Sequence, residues 1–102
     1  MIFRVLTAAE LEVIEAAVWY DEQRPNLGDE FLQELAGAFE RIRTDPLLFG
    51  RLEQFAGRDD VRRCLVSRFP YVVIYRYRPE ETLVIAISHV RRKPFYWLER
   101  MT

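Results

Sequence analysis

The stretch "VRRCLVSRFPYVVIYRYRPEETLVIAIS", residues 61–88, decides the fold of this chain. It contains three segments rich in β-branched and aromatic residues, at 61–66, 71–77 and 82–88, which is the composition typical of strands. The tetrapeptides "SRFP" and "RPEE" separate them. Parallel strands need a crossover of a dozen or more residues, and these connections are far shorter. The stretch therefore predicts an antiparallel meander of three strands.

A helical pattern precedes the meander near the N-terminus. The sequence "TAAE" at 7–10 has the Thr-x-x-Glu spacing of a capping box, in which the two side chains satisfy free amides at a helix start. Leu11, Ile14 and Val18 then recur at steps of three and four residues, with glutamates among the polar positions. We therefore expect an amphipathic helix that ends near Gln23.

A second helical pattern follows the break "RPNLG" at 24–28. Its apolar stripe consists of Leu27, Phe31, Leu35, Ala38, Phe39 and Ile42. Because proline disfavours helix in the residue before it, the "DP" at 45–46 sets a natural limit at Asp45. Two amphipathic helices joined by so short a connection predict an antiparallel helical hairpin.

The remaining segments complete the predicted topology. "IFRVL" at 2–6 is a candidate fourth strand, and 47–60, which has no clean period and contains two glycines, is interpreted as a loop. Pro94 can occupy the first position of a short closing helix. The predicted order is β-α-α-β-β-β. This is an α+β fold with the helical hairpin packed on one face of a mainly antiparallel four-stranded sheet, and a short C-terminal helix.

Length and composition predict one globular domain over residues 1–102. Half of the residues are apolar and 30% are charged, which is unlike a disordered or membrane-spanning chain. The longest apolar run is five residues, at 83–87, and the N-terminus lacks the pattern of a secretory signal. The one cysteine, Cys64, cannot form an internal disulfide. We therefore expect a cytoplasmic protein with no membrane contact.

The charge is divided unevenly along the chain. The net charge is only −1, yet residues 1–60 carry thirteen acids against six arginines, and residues 61–102 carry nine bases against three glutamates. Nine basic and aromatic residues of the second half are candidates for contact with a target or partner: Arg62, Arg63, Arg68, Arg91, Arg92, Lys93, Tyr96, Trp97 and Arg100. Arginine with tyrosine and tryptophan is the composition of interface hot spots.

The sequence offers no sign of a metal or cofactor site. It contains no glycine-rich phosphate loop, no Ser-His-Asp set and no Cys-x-x-Cys pair. The paired acids at 59–60 and 80–81 have no histidine at metal-ligand spacing. We therefore expect neither a cofactor nor a metal.

Five segments of the chain together resemble the RelE/ParE superfamily of toxins from bacterial toxin-antitoxin pairs. They are "WYDE" at 19–22, "LGDEFLQELAGAFERIRTDP" at 27–46, "VRR" at 61–63, "FPYVVIY" at 69–75 and "HVRRKPFYW" at 89–97. Each is short, but their order and spacing extend along nearly the whole chain. The resemblance implies a β-α-α-β-β-β fold and a cognate antitoxin, in a higher toxin-antitoxin oligomer of the plasmid stabilisation type.

The resemblance also implies one of two actions, because RelE-like members cut messenger RNA on the ribosome and ParE-like members poison DNA gyrase. The nucleases of the family tend to use lysines and arginines, and this chain has one lysine, Lys93. Together with the near-neutral charge, this favours a ParE-like toxin that is not an enzyme. A nuclease would use His89 as the base, Arg91 or Arg92 on the phosphate, and Tyr96. A third alternative is a diverged binding module that keeps the antitoxin contact and lacks toxicity.

Overall fold

The computed structural model describes residues 1–101, which form two helices on one sheet of five strands. The elements are β1 (Ile2–Val5), α1 (Thr7–Gln23), α2 (Leu27–Thr44), β2 (Gly50–Arg51), β3 (Asp60–Leu65), β4 (Tyr71–Arg78) and β5 (Glu81–His89). The strand order is β1-β5-β4-β3-β2. Only the β1–β5 pair is parallel. The predicted α+β class, the helical hairpin and the antiparallel meander are confirmed.

Two parts of the predicted topology need correction. The segment 47–60, interpreted as a loop, contains strand β2 and a turn of 3-10 helix at Glu53–Phe55, so the sheet has five strands and not four. A two-residue strand is too short to produce a periodic signal. The C-terminal helix is a 3-10 turn at Leu98–Met101 and does not begin at Pro94. Phe95 has a φ of 61°, in the left-handed region, which is incompatible with a continuous helix there.

Helix α1 has the predicted bounds but buries a different face. Its buried residues are Ala9, Ala16 and Tyr20. The predicted apolar stripe of Leu11, Ile14 and Val18 is more than half exposed. Small side chains on the buried face let the helix lie close to β5, and this close contact decides the orientation. The predicted capping box is also absent, because the N-cap is Leu6 and no side chain caps the helix.

The sheet separates two hydrophobic cores. The larger one lies between the sheet and the helices, and its largest members are Tyr20, Phe31, Leu35, Ile42, Val73, Tyr75 and Ile87. The smaller one lies on the opposite face, under the C-terminal segment, and comprises Phe55, Val61, Val72, Ile74, Leu83, Ile85, Ala86 and Trp97. Among residues 1–101, neither helix is both long and apolar enough to cross a membrane.

The two helices approach each other closely at Gly28, in the first turn of α2. A Cβ atom added at Gly28 would lie 2.4 Å from the carbonyl oxygen of Ala17 and 2.8 Å from the carboxylate of Asp21. The Gly28 amide also donates a hydrogen bond of 2.8 Å to Asp21 Oδ1. The helical hairpin therefore depends on glycine at this position.

We expect Gly28→Ala to lower the free energy of unfolding by about 1 to 3 kcal/mol, because the added methyl group displaces the backbone of α1. Gly37→Ala is the control on the same helix, since its Cβ would meet only Arg41 Nη1, at the ordinary contact distance of 3.6 Å. Alanine has the higher helix propensity, so this variant should gain about 0.5 to 1 kcal/mol. Urea unfolding followed by circular dichroism measures both, and equal effects would contradict the close approach at Gly28.

Candidate functional site

The carboxylate of Glu12 holds the C-terminal segment against the rest of the protein. Glu12 lies on α1 with its side chain 10% exposed, and Arg100 is 20% exposed. Arg100 donates hydrogen bonds of 2.9 and 3.1 Å to the two Glu12 oxygens. The Tyr96 hydroxyl and the Arg92 guanidinium donate to the same carboxylate. One acid thus anchors three of the residues predicted as a contact surface.

Glu12 and Arg100 also supply hydrogen-bond partners for backbone groups at the open edge of β5. Strand β1 pairs with β5 only as far as Val84, and Ile85 has no residue opposite it on β4 because of a bulge. Beyond that point the Ile87 amide donates to Glu12 Oε1 at 3.0 Å, and the Ile85 carbonyl accepts from Arg100 at 3.1 Å. The two side chains take the place of a neighbouring strand.

The Tyr96 hydroxyl keeps its proton at neutral pH. Burial, followed by the hydrogen bond to Glu12, raises the pKa of Tyr96 to about 12. The hydrogen bonds to Glu12 likewise raise the pKa of Arg100. The Arg92 guanidinium lies 3.6 Å from the centre of the Tyr96 ring, a cation–π contact. Tyr96, Arg92 and Arg100 therefore form one charge-assisted unit.

Two other predicted contact residues make internal ion pairs. Arg62 is largely buried and bonds Asp60 at 2.8 and 3.2 Å, as well as the carbonyls of residues 47 and 49. Arg68, in the β3–β4 turn, bonds Glu30 at 2.8 Å and Glu34 at 3.4 Å on α2. These arginines tie the sheet to the loop after α2 and to α2 itself.

Three cations carry no such internal partner. Within residues 1–101, the side chains of Arg63, Arg91 and Lys93 make no hydrogen bond or ion pair. Arg63, Lys93 and Arg92 line a cavity of about 220 Å³ on the sheet face opposite the helices, and none of its described lining residues is Asp or Glu. We call Arg63, Arg91 and Lys93 the free cations. Of these, Arg63 and Lys93 give this face an uncompensated positive charge.

His89 borders the same cavity but is held by the backbone. Its Nδ1 accepts the Arg91 amide at 3.1 Å, so the neutral ring carries its proton on Nε2. The ring also packs edge-on against Tyr71, with centroids 5.2 Å apart. Since Nδ1 is occupied, neutral His89 presents a donor, and not a base, to the cavity.

Trp97 belongs to the smaller core. Its side chain is 3% exposed and lies 5.8 Å, centroid to centroid, from both Phe55 and Phe95. Trp97 therefore fixes the C-terminal segment on the sheet by packing.

In the described part of the chain, His, Cys, Asp and Glu side chains form no group of three that could hold a metal.

The sequence-based reasoning missed Glu12, which it placed among the polar positions of α1. The signal was its spacing, because Glu12 lies three residues after Ala9 and four before Ala16, and both alanines are buried. A glutamate on the small-residue face of a helix must find partners there. Its partners lie more than seventy residues away in sequence and left no local pattern.

Comparison with known proteins agrees with this fold. Residues 3–94 match the model of a family described as the ParE toxin of the type II toxin-antitoxin system parDE. Among solved structures, the chain is similar to one from the chromosomal ParDE toxin-antitoxin system of P. aeruginosa, with a TM-score of 0.68 and 17% identity. The similarity covers 87% of this chain and 95% of that chain. A search of curated proteins gave no match.

We expect Glu12→Gln to lower the free energy of unfolding by about 2 to 3 kcal/mol, because Arg100 is left partly buried without its counter-charge. Glu15→Gln, on the exposed side of the same helix, should change it by less than about 0.5 kcal/mol. Urea titrations at neutral pH compare the two. Equal stabilities would mean that the cluster does not hold the C-terminal segment.

The two tryptophans provide a second matched pair. Trp97→Ala removes a buried ring and should cost about 3 to 5 kcal/mol. Trp19 is 55% exposed and touches Tyr20 edge-on, so Trp19→Ala should cost about 1 kcal/mol or less. Unfolding followed by circular dichroism avoids the loss of a fluorophore. A small effect at Trp97 would mean that the segment is not part of the folded core.

Proposed function

Since the chain belongs to the ParE toxin family of type II toxin-antitoxin systems, with residues 3–94 covered by the family model, we propose that it poisons DNA gyrase or a similar target and that a cognate antitoxin neutralises it. The family match is the observation that carries this proposal. The pair would act in the cytoplasm, as a toxin-antitoxin oligomer of the plasmid stabilisation type.

The hydrogen bonds of His89 and Tyr96, the two candidate acid–base residues, support an action that is not hydrolytic. A nuclease that used His89 and Tyr96 would need one group to take a proton and the other to give one. The Nδ1 of His89 is occupied by a backbone amide, and the Tyr96 hydroxyl donates to Glu12 with a pKa raised to about 12. Neither side chain therefore offers a free acceptor for a proton from the substrate. The net charge of −1 is also unlike that of a general RNA binder.

The free cations are the proposed points of contact with the target. Arg63, Arg91 and Lys93 are exposed and have no carboxylate partner within residues 1–101, so a target acid can pair with them without breaking an internal bond. The remaining predicted contact residues are engaged within the protein: Arg62, Arg68, Arg92, Tyr96, Trp97 and Arg100. The bonds of Arg92, Tyr96 and Arg100 to Glu12, with the packing of Trp97, hold the segment that carries Arg91 and Lys93.

The target contact can be tested with a double variant, Arg63→Ala with Arg91→Ala. We expect it to lose growth inhibition on expression, while the thermal midpoint changes by less than about 3 °C, because both side chains are exposed and unpaired. Arg43→Ala with Arg58→Ala makes the same charge change elsewhere, and both of those arginines stack on a phenylalanine ring. This control should stay toxic.

Two further assays identify the action and the antitoxin. Purified protein should inhibit the supercoiling reaction of gyrase, and co-expression of the neighbouring gene's product should restore growth. Primer extension on messenger RNA from expressing cells would instead reveal new cuts within translated codons if the chain were a nuclease. A protein that neither inhibits growth nor affects either assay, but still binds the neighbouring product, would be the non-toxic module.

A further inference from the structure

The cavity on the sheet face opposite the helices combines an apolar floor with a cationic rim. Its volume is about 220 Å³, below the roughly 300 to 1,000 Å³ of a site for a drug-sized ligand, so it matches a single side chain. The floor consists of buried and half-buried apolar residues: Leu52, Val72, Ile74, Phe95 and Trp97. The rim consists of three exposed cations, Arg63, Arg92 and Lys93.

Two of the rim charges have no counter-charge in the protein. Arg92 pairs with Glu12 on α1. The exposed side chains of Arg63 and Lys93, in contrast, make no hydrogen bond or ion pair within residues 1–101. Gly50, opposite Arg63 on strand β2, adds no side chain that could cover it, and even a Cβ atom there would meet nothing within 4 Å. Both charges therefore remain available to a ligand.

Two exposed aliphatic side chains continue the apolar floor outward. Val90 lines the cavity and is 49% exposed. Leu65 is 62% exposed and lies opposite the floor residue Val72 in the β3–β4 register, so these two side chains share one face of the sheet. The fold leaves both Val90 and Leu65 uncovered. Exposed apolar residues surrounded by charge are typical of a surface that binds another protein.

These features favour a protein segment over a nucleic acid as the ligand. Unpaired bases stack on exposed aromatic rings, but Trp97 is 3% exposed and Phe95 is half-buried. Binding to a phosphate backbone uses many cations along a track, and within residues 1–101 this cavity offers two free ones. A peptide that carries an apolar side chain between carboxylates matches both the floor and the rim.

We infer that the cavity is the anchor point for an acidic segment of the target protein, whose apolar side chain enters the cavity while its carboxylates pair with Arg63 and Lys93. This inference rests on the proposed function and adds the chemistry of the target segment. Because Trp97 packs on the sheet and Glu12 bonds Arg100, the wall that carries Lys93 is already held in place. Binding to a preformed site costs less conformational entropy than binding that orders a loop.

The charge part is tested by the affinity of the full chain for purified gyrase, with Kd measured by surface plasmon resonance at about 50 and about 300 mM NaCl. Arg63→Ala with Lys93→Ala should weaken binding at least about tenfold at low salt and reduce the salt dependence, because two ion pairs are lost. Arg43→Ala with Arg58→Ala makes the same charge change away from the cavity and should bind within about twofold of the parent. Circular dichroism checks that each variant is folded.

The apolar part has its own pair of variants. Val90→Ser should weaken binding at least about fivefold, while the thermal midpoint changes by less than about 3 °C, since the side chain is half exposed. Leu11→Ser is the control, because Leu11 has a similar exposure of 54% and lies on α1, on the other side of the sheet. It should leave Kd within about twofold of the parent.

A photocrosslinker identifies the macromolecule that contacts the cavity. Gln54 is exposed and lines the cavity, whereas Gln33 is exposed on α2. With p-benzoylphenylalanine at position 54, irradiation in the presence of gyrase and plasmid DNA should produce a cross-link to a gyrase polypeptide, at a segment with Asp or Glu beside an apolar residue. The same group at position 33 should produce no such cross-link.

A cross-link to that kind of segment, together with weaker binding by the cation pair and by Val90→Ser, supports the inference. Every other outcome overturns it. If position 54 cross-links to DNA, the ligand is a nucleic acid. If only one of the two variants weakens binding, the segment is not both acidic and apolar.

The remaining outcomes separate this inference from the proposed function. If gyrase binds the parent but position 54 gives no cross-link, or neither variant changes Kd, the target contacts another surface and the proposed function still stands. If the parent alone forms an oligomer that the cation pair dissociates, a second copy occupies the cavity. If the parent neither binds nor inhibits gyrase, the proposed function fails as well.

Discussion

The ion pair between Glu12 and Arg100 connects three parts of the molecule at one point. It joins α1, the edge of β5 beyond the end of β1, and the last residues of the described chain. Strand β1 has four residues and β5 has nine, so part of the β5 edge would otherwise lack bonding partners. With that edge satisfied, Trp97 can pack on the sheet, and the stretch that carries Arg91 and Lys93 has a fixed position.

The distribution of charge follows from the same arrangement. Five cations of the second half of the chain pair with acids of the first half, Arg76 pairs with Glu81, and the free cations have no ion-pair partner within residues 1–101. Arg62, Arg68 and Arg100 belong to the first group. Arg63 and Lys93 lie on the sheet face opposite the helices, and the side chains of Glu10, Glu15 and Glu22 on α1 make no hydrogen bond or ion pair within residues 1–101. The two sets of opposite charge therefore lie on opposite sides of one sheet.

Local sequence pattern was sufficient for the helices and the meander, because their signals lie within single segments. The limits at Gln23 and Asp45 follow from the "RPNLG" break and the "DP" dipeptide. The pattern failed for α1, where spacing alone cannot distinguish an apolar stripe that faces the core from one that is exposed. It failed also for Glu12 and β2, which depend on contacts with residues distant in sequence. The resemblance of the short motifs predicted the family. The roles of Arg62, Arg92 and Arg100 became clear only when the structure showed their hydrogen-bond partners.

The parallel pairing of β1 with β5 has a consequence for biosynthesis. Ile2 lies opposite Glu81, and Glu12 binds Arg100. Strand β1 and helix α1 therefore depend on residues that are synthesised about eighty residues later. Closing loops of this length costs entropy before any contact compensates for it. During translation, β1 stays unpaired until β5 leaves the ribosome, and Glu12 lacks its partner until Arg100 does. A product that stopped before these residues would lack both contacts and the surfaces that depend on them.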